Sequence, residues 1–284
     1  MTVYRDYDQA ALDAQYNNRA MVPDHPRHIE AWARESERAR AARPDARLDL
    51  AYGAGEREKF DFFPAKPGAP LHLFIHGGYW RALDKSSFSY PALAFASAGI
   101  AYAAINYPLA PRASIDDIVA SVRRAVAWLI GHAGDLGVDP AGISISGHSA
   151  GGHLAAMALA DPALPRGAVC GVAAISGLYD LEPIRLCYLN AELRLDGASA
   201  RRNSPIHVAP AARCPVFLTV GGRESSEYHR QQASLAEAWR GSCPKLEATA
   251  SDGDDHFSIV GHLGKSDSAL FRAVARLARN GAAA

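Results

Sequence analysis

From residue 46 onward, short unbroken apolar runs alternate with longer segments whose apolar positions recur at helical spacing. The runs PLHLFIH (70–76), GIAYAAINY (99–107), ISIS (143–146), AVCGVAAIS (168–176), PVFLTVGG (215–222) and KLEATAS (245–251) predict strands. Between them, residues 114–130 predict a helix behind an N-cap Ser114. GGHLAAMALA, residues 226–240 and residues 266–279 predict three more. Ahead of the alternation, LDLAYG and EKFDFFPA predict a short antiparallel opening separated by Gly53 and Gly55. The first 45 residues predict two helices, 8–20 and 29–42, joined by the proline-rich VPDHPRH.

Strands that read as near-continuous apolar runs and alternate with helices predict a mostly parallel sheet covered by helices on both faces. Ligands of such sheets bind beyond the C-terminal strand ends. Three unusual segments fall there: HGGYW after 70–76, GHSAGG after ISIS, and GGRES after PVFLTV. Residues 177–209 interrupt the alternation and predict a small helical cap. The expected organisation is one domain over 1–284, with the 1–45 segment and the cap contributing to a lid.

Gly147-His148-Ser149-Ala150-Gly151 matches G-x-S-x-G, with a strand directly before it and a helix directly after, as that motif requires. A nucleophilic Ser149 at such a turn needs glycines where the strand and helix cross. The N–H of Ala150 opens the helix towards a developing oxyanion, and Gly77 and Gly78 in the loop after 70–76 are the further candidate donors. His76 is expected to brace that loop. The base of this fold lies after the last strand, which points to His256 in SDGDDHF, with His262 as the lesser candidate. The acid is expected after strand 215–222, where Glu224 comes first and Glu227 second. Asp252, Asp254 and Asp255 flank the base too closely in sequence to turn back readily on its Nδ1.

HGGYW followed by GHSAGGHL resembles the arylformamidase (kynurenine formamidase) branch of the α/β-hydrolase fold, which adjoins small carboxylesterases. The likeness extends over most of the chain, from Asp6-Tyr7-Asp8 and Tyr16-Asn17-Asn18 onward. Carboxylesterases usually carry a third glycine and an acidic residue where this chain has Tyr79 and His148. Glu224-Ser225-Ser226-Glu227-Tyr228-His229-Arg230-Gln231 resembles the branch's Asp-Ser-Pro-Glu-Phe-His-Arg-Gln, which implies Glu224 as the acid, with Glu in place of Asp. Tyr79 and Trp80 are expected to wall the substrate pocket, and Leu186, Cys187 and Tyr188 to cover it from the cap. Tyr7 and Tyr16 suit either the cleft or the core.

Composition narrows the partners. Lys plus Arg and Asp plus Glu both number 30, so no net field favours nucleic acid or an anionic membrane. Arg34, Arg38, Arg40 and Arg43 alternate with Glu35 and Glu37 as a solvated helix face would. The four cysteines have no metal-ligand spacing, and no segment reads as a signal peptide or membrane span. The expectation is a cytoplasmic enzyme, compatible with homo-oligomers, acting on a small-molecule ester or formamide without metal or organic cofactor. The leading reading is a serine carboxylic-ester hydrolase. The alternatives are an arylformamidase and, from another class, a catalytically silent α/β-hydrolase that only binds. An amino-acid substrate would need a cation for its α-carboxylate, and Arg81, Arg185 and Arg194 are the candidates.

Overall fold

The computed structural model describes residues 1–279. Its strands are β1 (Arg47–Ala51), β2 (Lys59–Phe63), β3 (Ala69–Ile75), β4 (Ala101–Ile105), β5 (Val138–His148), β6 (Gly171–Ile175), β7 (Val216–Gly221) and β8 (Leu246–Ser251). They form one sheet in the order β1-β2-β4-β3-β5-β6-β7-β8. The β1–β2 and β2–β4 pairs are antiparallel, and every pair from β4 across to β8 is parallel.

Both faces of the sheet are covered, so successive side chains of one strand enter different cores. Leu71, Leu73 and Ile75 of β3 join one apolar cluster, while Phe74 joins the other beside Tyr102, Ile175 and Phe271. That double burial is why β3 reads as an apolar run and not as an alternating one. His72 lies in the same interior, its two ring nitrogens 2.8 and 2.6 Å from the hydroxyls of Ser144 and Ser146 on β5. The ring stacks on Phe95 at 4.5 Å.

Several boundaries differ from the sequence pattern. The first predicted helix stops at Tyr16, because Asn17 leaves helical geometry and its side chain caps the short turn Asn18–Met21. The second begins at His25, earlier than its apolar positions suggest, since a proline in the first helical turn forfeits no intrahelical hydrogen bond. ISIS proves to be the middle of the longer β5. The cap holds the short helices Glu182–Leu186, Asn190–Leu193 and Gly197–Arg202. Among the described residues, no helix is long and apolar enough to cross a membrane.

Candidate active site

Ser149 sits between β5 and the helix Ala150–Leu159 at φ 58°, ψ −122°, a conformation that L side chains rarely adopt. The sharpness of the turn explains its neighbours. A Cβ at Gly147 would lie 2.0 Å from the carbonyl oxygen of Gly151, and one at Gly151 would lie 2.0 Å from that of Ile75. The backbone N–H of Ser149 donates to Ile175 at 2.8 Å and ties the turn to β6.

Three side chains from three strand ends converge here. His256 Nε2 lies 3.0 Å from Ser149 Oγ, and His256 Nδ1 lies 2.6 Å from Glu224 Oε2. Glu224 Oε1 accepts from the N–H of Gly221 at 2.7 Å and from the Ser176 hydroxyl. The carboxylate is thereby held from behind, and Nδ1 must carry the proton it donates. Ser149, His256 and Glu224 are 2%, 6% and 9% exposed, so bulk water does not weaken these contacts. Such a relay is able to move a proton from Ser149 to an imidazole whose charged form faces a carboxylate.

The alternative acids are occupied elsewhere. Glu227 receives the Tyr16 hydroxyl at 2.7 Å and pairs with Arg230 at 2.8 Å. Asp254 accepts from Ser251 and Ser258 and lies 3.0 Å from His262 Nε2. Asp255 accepts the N–H groups of Phe257 and Ser258, and Asp252 is exposed in the turn after β8.

Gly77 packs against the elbow: a Cβ there would lie 2.8 Å from the His148 carbonyl and 3.0 Å from Ser149 Cβ. Gly78 has φ +101°, and a Cβ would meet the Ala82 carbonyl oxygen at 2.3 Å. Among the described residues, the N–H groups of Gly77, Gly78 and Ala150 donate to no other protein group. Donors so placed are free for a ligand oxygen.

The cleft over Ser149 holds about 90 Å³ of water-accessible space. Tyr79 and Tyr188 line it. Trp80, Leu186 and Cys187 do not. Trp80 is fully buried, because Tyr79 and Trp80 are both left-handed (φ 48° and 59°) and turn the indole inwards to donate to His153 Nδ1 at 3.2 Å. Leu186 ends a short cap helix, and the Cys187 thiol turns back to donate to the Ile184 carbonyl. Tyr7 and Tyr16 do not line the cleft, whereas Asn17, Asn18, Arg19, Ile29 and Trp32 from the N-terminal segment do. Phe257, next to His256 in the chain, completes the aromatic wall. Of the candidate cations, Arg81 reaches the cleft but pairs with Glu192, and Arg185 pairs with Glu182. Among the described residues, no group of three or more His, Cys, Asp or Glu side chains is placed to hold a metal ion.

Buried histidines brace the site. His148 Nε2 donates to the His256 carbonyl at 2.8 Å, and His153 Nε2 donates to the Asn203 carbonyl in the cap at 2.7 Å. His76 Nδ1 donates to the Gly77 carbonyl at 2.8 Å. Burial pushes His72 down to about 3 and His76 and His153 down to about 4. It also holds His148 well below its usual range, with His256 adding to the effect. An unfolded histidine titrates near ~6.5. Between that value and the folded ones the unfolded chain binds more protons, so stability present above ~6.5 is lost as pH falls. The urea midpoint should therefore drop between about pH 7 and pH 5. An unchanged midpoint would contradict burial of these rings in the neutral form.

The comparisons with known proteins agree on a hydrolase. The BD-FAE family model matches residues 62–162. The kynurenine formamidase of Salmo salar is 30% identical over 288 residues, covering 94% of this chain and 95% of that protein. That of Danio rerio is 30% identical over 249 residues, covering 83% of each. The chain belongs to the kynurenine formamidase family. A crystal structure from Silicibacter sp. TM1040, titled a "putative thioesterase", superposes with a TM-score of 0.83 at 34% identity, covering 93% of this chain and 98% of that one. Over a shorter stretch, esterase LipQ of Mycobacterium tuberculosis is 36% identical across 47% of this chain and 35% of that protein. This kynurenine formamidase family member is thus an enzyme of the hydrolase class with the α/β-hydrolase fold.

Proposed function

We propose that the protein is a serine hydrolase that cleaves small acyl esters through an acyl-enzyme. The observation that carries this reading is the chain of contacts Ser149–His256–Glu224, at 3.0 and 2.6 Å. His256 takes the Ser149 proton as Oγ adds to the acyl carbon, and Glu224 holds the imidazole with Nδ1 protonated. The N–H groups of Gly77, Gly78 and Ala150 receive the oxyanion. His256 returns the proton to the leaving oxygen as its bond to carbon breaks. Water, deprotonated by the same base, then releases the acid. A catalytically silent α/β-hydrolase that only binds would not need a buried relay of this kind.

The second reading, hydrolysis of N-formyl aryl amines, is favoured by one specific observation: the relatives matching along nearly the whole chain are named kynurenine formamidases. The narrow cleft, walled by Trp32, Tyr79, Tyr188 and Phe257, suits a minimal acyl group on an aromatic leaving group. Anilines leave less readily than phenols, so the same centre should process activated esters faster. A parallel assay on 4-nitrophenyl acetate and N-formylkynurenine is expected to give the ester a kcat/KM at least ~10-fold higher, about 1.4 kcal/mol at the transition state. The reverse order would make formamide hydrolysis the main activity without changing the proposed nucleophile or base. We further propose that 1–45 and 177–209 close over the sheet as parts of a single domain, and that the enzyme works in the cytoplasm.

A further inference from the structure

Tyr79 directly follows Gly78 and is left-handed at φ 48°, as is Trp80 after it at φ 59°. A residue with a Cβ seldom rests in that conformation, so the surroundings must hold it there. The backbone of Tyr79 does not do so. Among the described residues, neither its N–H nor its carbonyl takes part in a bond to other backbone. The turn closes further on, where Arg81 and Ala82 both donate to the Gly78 carbonyl at 3.1 Å. That closure exists only while Tyr79 and Trp80 stay left-handed.

The two side chains supply the anchors. Trp80 Nε1 donates to His153 on the helix Ala150–Leu159. Tyr79 Oη reaches the other way. It lies 2.6 Å from the Tyr16 carbonyl, 3.1 Å from Asn18 Nδ2 and 2.8 Å from the Tyr228 hydroxyl. The carbonyl offers no hydrogen, so it takes the single proton of Tyr79. Asn18 and Tyr228 then donate to the two lone pairs, and Asn18 also donates to Tyr228 at 2.8 Å. Every hydrogen-bonding capacity of the Tyr79 hydroxyl is used. Its partners are fixed as well. Asn18 and Tyr228 are buried, and Gln15 Oε1 ties the N-terminal segment to the helix carrying Tyr228 by accepting from Ser226 Oγ at 2.9 Å and the Glu227 N–H at 3.2 Å.

We propose that Tyr79 is a positioning residue for the oxyanion donors: its hydroxyl, clasped by the N-terminal segment, holds the left-handed turn that keeps the Gly78 N–H aimed over Ser149. The inference rests on the serine-hydrolase reading, in which Gly77, Gly78 and Ala150 receive the developing charge. Such donors stabilise a transition state fully only when they are aligned beforehand. On the near side of Gly78, the Gly77 carbonyl is held by His76 Nδ1 at 2.8 Å and by the Tyr107 hydroxyl at 3.2 Å. On the far side the alignment depends on the turn at Tyr79.

The test uses wild type, Tyr79→Phe, Tyr79→Ala and Tyr79→Gly, with 4-nitrophenyl acetate as substrate and phenylboronic acid as inhibitor. Ser149 Oγ adds to boron, its proton passes to His256, and a boron-bound oxygen takes the oxyanion position. Tyr79→Phe keeps the ring and removes the clasp, so kcat/KM should fall ~10-fold or more, short of the ~10²–10³ that losing a donor outright costs. The boronate inhibition constant should rise by the same factor. The midpoint of the pH–rate profile should not move, because His256 and Glu224 keep their bond. Tyr79→Ala and Tyr79→Gly both lose ring and hydroxyl and differ in the backbone each prefers. Glycine takes a left-handed φ freely, so Tyr79→Gly should be about 3-fold or more faster than Tyr79→Ala. An unchanged rate or boronate affinity in Tyr79→Phe, a shifted pH midpoint, or alanine matching glycine overturns the inference alone. Wild type that phenylboronic acid does not inhibit, together with a Ser149→Ala variant as fast as wild type, overturns the serine-hydrolase reading and the inference with it.

Discussion

Ser149→Ala is expected to lower kcat by about 10⁴–10⁶-fold on every ester, because it removes the oxygen that His256 Nε2 faces at 3.0 Å. Folding should be nearly unaffected. The strain at φ 58° is borne by any side chain with a Cβ, so alanine adds none, and the turn is tied to β6 through the backbone N–H of residue 149. Purified Ser149→Ala retaining more than about a tenth of the wild-type rate, with an unchanged melting curve, would remove Ser149 as nucleophile.

Glu224→Gln should give the second largest loss, about 10³–10⁴-fold in kcat, with the fold preserved. The glutamine Oε1 can still accept from Gly221 and Ser176. Its Nε2, however, presents hydrogens to His256 Nδ1 and favours the tautomer whose proton faces Ser149. The serine then has no base. Asp252→Asn, Asp254→Asn and Asp255→Asn leave the bond between Nδ1 and Glu224 in place and should each cost less than about 10-fold. Asp254 also anchors Ser251, Ser258 and His262, so its change should appear in stability before it appears in rate. A larger kinetic loss from any of the three aspartates would move the acid role away from Glu224.

The strands were legible because a sheet covered on both faces leaves an unbroken apolar run, as in β3 and β7. The convergence of Ser149, His256 and Glu224 was legible because each follows a strand and lies beside a polar or glycine-rich segment. The cleft walls were not. Ile29 and Trp32 lie on a helix whose dense Arg and Glu content reads as a solvated face, although part of it covers the site. Trp80 was misplaced because two successive left-handed residues turn its side chain away from the direction an extended loop would give. Asn18 and Tyr228 are 210 residues apart, and no local pattern announces a hydrogen bond over that distance.

The central claim, that Ser149 is the covalent nucleophile, is tested most directly by labelling with a fluorophosphonate and mapping the adduct by mass spectrometry. The serine oxygen forms the bond to phosphorus, fluoride leaves, and its proton passes to His256. The account predicts one phosphonyl group per chain, on the peptide containing Gly147-His148-Ser149-Ala150-Gly151, with ester hydrolysis lost in proportion to labelling. An adduct on another residue, or full labelling with activity retained, would contradict it.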